Sequence, residues 1–293
     1  VCERLAGRLG WELIVVRRTA GDMMDRWLSR WAANVERYAS LSCVRLIMPW
    51  SSAAQRFCTS ELKSQIIARA IRARHPAGPV VSAVGIRREE SAARARMPVA
   101  KRDERLTRAR GIGLTWNALI HWQRAEVLDY IRARGDVLHE AYRVYGSSRV
   151  SCAFCVLASL ADLQAAARCV DNMAILREIV GLEVRSTFSF QGKRWLGDLA
   201  PDLLDAPLRA ALAEAKERAA LRQAAEALIP QHLLYAAGWP NCMPTLEEAL
   251  LLANVREQVV EAVGLEANCL DAAAVLARYA GLLRERGQKG RGS

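Results

Sequence analysis

No apolar run in the 293 residues approaches the roughly 18 that a membrane-spanning helix requires, and no charged-then-apolar leader ends in a cleavage site. These absences set the expectation of a soluble, cytoplasmic protein without a membrane partner. Cysteine is too sparse for a disulfide scaffold. Eight residues (Cys2, Cys43, Cys58, Cys152, Cys155, Cys169, Cys242, Cys269) are spread over a long chain, and a close C-x-x-C in such a setting is metal or redox chemistry more often than a staple. No internal repeat is present. Acidic residues are scarce in the first half: residues 1–150 hold 27 Lys and Arg against 14 Asp and Glu, whereas residues 151–293 hold 15 against 17. The first half therefore attracts anions, whether nucleotides, sulfate esters or a nucleic-acid backbone. Hydrophobic residues make up 52% and charged residues 25%, enough to bury a core in one large domain or two ordinary ones. The chain starts on Val, and V-C-E-R-L-A-G-R-L-G has the pattern of the later turns of a helix, so a missing beginning is expected.

The stretch Val80 to Arg94 organises the first half. V-V-S-A-V is a short β-branched run, the pattern of a strand buried on both faces. It stops at Gly85 and gives way to Arg87, Arg88, Glu89, Glu90, Ser91 and Arg94. Open α/β sheets build ligand sites where a strand ends, and the planar donor fork of arginine matches phosphate or sulfate oxygens. The alternative is a solvated loop whose Arg and Glu side chains pair with one another.

Around this stretch, Trp11–Val16 is expected as a strand and 22–38 as a helix with Trp27, Trp31 and Val35 inward. A further helix carries Leu62, Ile66, Ile67 and Ala70, with Thr59 or Ser60 as its cap. Cys58 then sits near the helix start, where the dipole favours a thiolate, and Lys63 lies about one turn on, within reach of a bound anion. Residues 96–110 form an exposed basic segment broken by Pro98, a flap or a nucleic-acid contact. A helix follows over 124–134. Arg149 offers one more anion contact, and Cys152-Ala-Phe-Cys155 is expected to open a long helix reaching Ile179.

Two thiols at C-x-x-C spacing fit adjacent corners of a metal tetrahedron, but a closed zinc or iron–sulfur site takes about four ligands. Cys58 is the first choice for a further ligand, then Cys43 or Cys169; a thiol–disulfide pair is the competing use. From residue 181 the chemistry thins. Glu183–Phe190 alternates like a hairpin strand, helices are expected over 203–228, 246–263 and 270–285, His232 is structural, and the basic tail from Arg286 is flexible.

Four motifs stand in a fixed order: R-F-C-T-S-E-L-K at 56–63, G-I-R-R-E-E-S at 85–91 with Arg94, W-N-A-L-I-H-W at 116–122 before a V-L-D-Y-I helix, and G-S-S-R-V-S-C-A-F-C at 146–155. Together they resemble the phosphoadenosine phosphosulfate reductase family, within the adenine nucleotide α-hydrolase superfamily, over roughly residues 1–160. The resemblance implies an α/β fold: a parallel sheet flanked by helices, incomplete at its N-terminus, as a nucleotide-binding domain over 1–160. A mostly helical region then occupies 161–293. It implies that Lys63, Arg87, Arg88, Ser91 and Arg94 face the charged groups of an adenine nucleotide, phosphoadenosine phosphosulfate or ATP. It also implies that Cys58, Cys152 and Cys155 resemble the ligands of members that hold an iron–sulfur cluster, with a [4Fe–4S] cluster or zinc as the metal.

Two departures are plain. The family's S-G-G-x-D-S phosphate loop is not in this sequence; in a fragment, the parent would carry it. Nor does the tail contain the cysteine of the E-C-G-x-H motif of sulfonucleotide reductases. The chain is thus more similar to phage and DNA-modification relatives that activate or transfer sulfur. The expected function is sulfonucleotide reduction or sulfur transfer. The alternatives are DNA phosphorothioation-type or tRNA-thiolation-type sulfur transfer, with DNA or tRNA as partner, and a non-catalytic nucleotide- or nucleic-acid-binding remnant.

Overall fold

The computed structural model describes residues 1–289. In chain order it contains helices α1 (Cys2–Leu9), α2 (Met23–Ala39) and α3 (Phe57–Thr59), a π-turn (Ser60–Ser64), α4 (Gln65–Arg74), strand β1 (Val80–Ala83), α5 (Ala92–Ala95), β2 (Ala100–Arg102), β3 (Gly113–Trp116), α6 (Arg124–Ala133), α7 (Glu140–Arg143), α8 (Leu160–Ala167), α9 (Met173–Ser186), α10 (Ala206–Ala227), α11 (Leu246–Val263) and α12 (Ala272–Lys289), joined by short 3-10 turns. None of the described helices is long and apolar enough to cross a membrane.

Contacts divide the chain into two units. The first comprises Val1–Asp22 and Ala53–Val150, the second Met23–Ser52 and the chain from Ser151 onward. The expected boundary near residue 160 does not anticipate that α2 belongs with the C-terminal helices. Charge follows the structural division closely. The first unit holds 23 Lys and Arg against 12 Asp and Glu, and the second holds 19 of each. The whole positive excess therefore resides in the first unit.

The first unit is mixed α/β, built on a three-stranded sheet in the order β1-β3-β2. β1 runs parallel to β3, with Val81 opposite Leu114 and Ala83 opposite Trp116. β2 runs antiparallel to β3, with Ala100 opposite Trp116 and Arg102 opposite Leu114. The sheet is thus mixed, not wholly parallel. Successive side chains alternate between faces, so Gly113, Thr115 and Asn117 turn inward while Leu114 and Trp116 turn out. Leu106 seals the inner face against Gly113, where an added Cβ would stand 2.4 Å from that of Leu106. β1 is an edge strand and Val81 is 60% exposed, which overturns the expectation of burial on both faces. Nor does Trp11–Val16 form a strand. Its β-branched run is irregular and largely exposed, because β structure exists only where a neighbouring strand completes the ladder.

The second unit is helical. Its main core gathers Tyr38 and Leu41 from the α2 end, Ala225 and Ile229 from the α10 end, Leu252, Val255 and Val259 from α11, and Val275 and Tyr279 from α12. A second cluster stacks Trp27, Trp50 and Phe190 edge-to-face, with ring centroids 5.1 to 5.8 Å apart.

Three further expectations fail in this unit. Glu183–Phe190 is not a strand: α9 buries Leu176, Ile179, Val180, Glu183 and Ser186 at helical spacing and stops at left-handed Thr187. Cys152 opens no helix, since the chain stays irregular until Ser159 caps α8 by accepting a hydrogen bond from the Asp162 amide at 3.1 Å. α8 and α9 are themselves separated by a 3-10 turn, Val170–Asn172. Finally, the tail expected to be flexible is helical from Arg286 to Lys289; residues 290–293 lie outside the described residues.

Candidate functional site

β1 ends at Ala83, and the polar stretch beyond it folds on itself. Arg87 caps a 3-10 turn (Arg88–Glu90), and its Nε donates to Glu89 Oε1 at 2.8 Å while its Nη2 lies 3.2 Å from Glu90 Oε1. Glu90 also takes the Arg87 amide at 3.3 Å and forms an ion pair with Arg94. Ser91 caps α5, its Oγ accepting from the Arg94 amide at 3.2 Å, which fixes the hydroxyl beside the arginines. The Arg–Glu pairing weighed as an alternative from sequence is therefore present. It does not neutralise the region.

Arg94 is depressed from the ordinary guanidinium range, first by burial and then by the positive charges of Arg56, Arg149 and Arg87. Three guanidiniums thus act on Arg94, beside the two carboxylates of Glu89 and Glu90. Like charges gathered this way are costly unless an anion joins them, and the fork geometry of arginine suits a tetrahedral oxyanion. The structure brings together Arg87, Arg94 and Arg149, with Ser91 at the base of α5. Lys63, on the π-turn, and Arg88 are exposed, and neither is among the charges that depress Arg94. Among the described residues neither of these two cationic heads has a hydrogen-bonding or ion-pair partner, so both are available to an incoming anion.

Arg56 is the member that sequence reasoning missed as a site residue. Its signal was its place at the head of the 56–63 motif. It also lines an open cleft of about 320 Å³ together with Thr59, Ser60, Ser64, Gln65 and Arg105. The helix expected to be capped by Thr59 or Ser60 starts instead at Phe57, and the π-turn follows it. This wider turn, a feature often found at functional sites, supplies Ser60 and Ser64 to the cleft wall. Arg105 is held there by Asp103, which accepts from Arg105 Nε at 2.9 Å and from Thr115 Oγ1 at 2.9 Å.

The thiols are distributed between the units. Cys58 is half-buried in the first, its Sγ 4.0 Å from Thr59 Oγ1. In the second, Cys152 is exposed and Cys155 is half-buried, its Sγ accepting from the Leu157 amide at 3.4 Å. All eight cysteines are free thiols. Among the described residues, no third His, Cys, Asp or Glu from within the second unit joins Cys152 and Cys155. The C-x-x-C spacing offers two metal ligands, and a complete site takes about four.

Searches among curated proteins and among solved structures found no match. A family model did match: residues 36–157 fit the phosphoadenosine phosphosulfate reductase domain. That span includes all of residues 53–150 and therefore every member of the arginine cluster. Residues 36–157 are thus similar to the phosphoadenosine phosphosulfate reductase domain.

Proposed function

We propose that the arginine cluster binds the charged groups of an adenine nucleotide, in sulfonucleotide reduction or in sulfur transfer. One observation carries this reading: Arg56, Arg87, Arg94 and Arg149 are close enough for their charges to act on Arg94, within a region of the matching family. In this role Glu89 and Glu90 hold two of the guanidinium forks in place, and Lys63 and Arg88 supply mobile charge. Fixed cations of this kind stabilise negative charge that develops on phosphoryl or sulfuryl oxygens.

Isothermal titration with phosphoadenosine phosphosulfate and with ATP tests the reading. Binding of one of them is expected, and Arg94→Ala and Arg149→Ala are each expected to weaken it by about tenfold or more, the cost of losing a charge-assisted hydrogen bond. Binding that survives both substitutions unchanged, or no binding by the intact chain, defeats the reading. A metal or [4Fe–4S] cluster held in part by Cys152 and Cys155 is part of the same proposal. Metal and acid-labile sulfide analysis of anaerobically purified protein tests it, with loss of the metal in Cys152→Ser and Cys155→Ser as the expected outcome.

A further inference from the structure

The sheet of the first unit has one open face, and its composition is specific. The strand register sets two rows across it. Val81, Leu114 and Arg102 form one row, and Ala83, Trp116 and Ala100 form the other. Trp116 therefore stands on the central strand between two alanines, one on each neighbour. No large side chain in its row shields the indole, and it is 47% exposed. Leu114 and Val81 extend the apolar surface beside it, at 38% and 60% exposure.

The rim of this face is basic. Arg102 ends its row, tied among the described residues only to Glu104, by an ion pair at 3.0 Å in which both side chains are more than half exposed. Such a pair contributes little and exchanges readily for another anion. Arg96 and Arg110 are exposed on the same segment, whereas Lys101, paired with inward-facing Thr115, projects from the opposite face; the unit around them carries the entire positive excess of the chain. An accessible aromatic on an open sheet, flanked by small residues and edged with cations, is the chemistry that receives unpaired bases: the ring stacks and the cations follow the phosphates. An apolar protein partner would use the same Leu114 and Val81 but would have no need of the surrounding charge, which argues for a polyanion.

We propose that this face binds single-stranded nucleic acid, with Trp116 as the stacking platform and Arg102 as a phosphate contact. The site differs from the arginine cluster, and its failure leaves the nucleotide reading standing.

Fluorescence anisotropy with labelled oligothymidylate and oligouridylate, read on the full chain, tests the proposal and distinguishes DNA from RNA. Binding at low salt is expected to weaken on a log–log plot with a slope of about −0.7 for each phosphate contacted. Trp116→Ala is expected to reduce affinity by about tenfold or more, since stacking on one aromatic carries that much. Trp116→Phe is expected to restore most of it, which a merely structural role for the indole would not do. Arg102→Ala is expected to flatten the salt slope by about one phosphate contact. Trp116→Ala should keep the circular dichroism spectrum and the nucleotide binding of the parent. The proposal is overturned by absence of oligonucleotide binding at low salt, or by binding that Trp116→Ala leaves unchanged. Sedimentation showing that Trp116 instead mediates self-association would equally overturn it, assigning the face to a second copy of the chain.

Discussion

Asp103 holds Arg105 through two parallel hydrogen bonds, from Nε to Oδ1 at 2.9 Å and from Nη2 to Oδ2 at 2.6 Å. The carboxylate is buried and Thr115 of β3 also donates to it, so one residue ties a cleft-lining cation to the centre of the sheet. The Arg105 bonds are the main reason that its pKa falls from 3.8 to about 2. A depressed carboxylate contributes stability that is present above the unfolded pKa and is lost as pH falls toward the folded value. Thermal melts of the parent should therefore fall below pH 4. Asp103→Ala should remove that dependence and destabilise the first unit by about 1–3 kcal/mol at neutral pH, since it leaves Thr115 buried without its acceptor. A variant melting like the parent at both pH values would show that the pair is ornamental.

Arg222 and Glu226 form the corresponding pair in the second unit, 2.7 Å apart and almost completely buried. Arg222 also donates to Thr187 Oγ1 at 2.9 Å and to the Thr187 carbonyl at 3.1 Å, and it lies over the Phe188 ring at 3.9 Å. Thr187 has φ of 57°, a left-handed conformation that disfavours a β-branched residue; Arg222 is what holds it. Breaking such a pair by removing one partner costs about 3–5 kcal/mol, whereas replacing both by apolar residues of similar volume is close to neutral. Urea melts should show Arg222→Met and Glu226→Leu each strongly destabilised and the double variant losing less than the sum of the two, with the remaining loss set by the unpaired Thr187 carbonyl and Leu46 amide. Additive losses would mean that the two residues act independently.

Much of this architecture was legible in the amino-acid sequence, and the parts that were not share a physical cause. The helices α2, α6 and α11 announce themselves because their apolar positions recur at helical spacing within one short window. Glu89 and Glu90 pair with Arg87 and Arg94 as local geometry allows. What stayed hidden depends on partners far along the chain. Trp11–Val16 has the composition of a strand but no ladder. Trp27 meets Phe190, 163 positions away, which is why α2 joins the C-terminal helices. Arg56 joins Arg94 and Arg149 only through tertiary placement, and no spacing rule signals that convergence. The alternation of Glu183–Phe190 misled because a helix end followed by a tight loop mimics period two over a few residues.

The arginine cluster makes a prediction with two opposite signs. Arg56→Ala removes a charge that depresses Arg94, so the ligand-free protein should be unchanged or slightly stabilised, within about 0.5 kcal/mol, as for other exposed sites. The same substitution removes a donor from the anion site. The rise in melting temperature that sulfate or phosphate gives the parent, through its preference for the folded state, should therefore shrink. Melting curves with and without sulfate, at matched ionic strength, measure both effects. A variant that is destabilised alone yet equally protected by sulfate would remove Arg56 from the site.

Glu183 gives the last prediction, and its sign is opposite to that of Asp103. Its side chain is fully buried and takes three backbone amides, Phe190 and Leu196 at 2.7 Å on Oε1 and Gly197 at 3.2 Å on Oε2. These bonds pin the loop after α9, yet burial outweighs them and raises the pKa from 4.5 to about 7, with Asp198 adding to the rise. Between these two values the folded state binds more protons than the unfolded chain. Stability must therefore decline as pH rises from about 4.5 to about 7 and level off above it. Glu183→Gln cannot ionise, so its unfolding free energy should lose this slope. It should also be offset downward at all pH values, because its amide nitrogen meets the Gly197 N–H donor to donor. Urea melts of both proteins across pH 4.5 to 8 measure the difference, and parallel profiles would show that Glu183 does not titrate in this range.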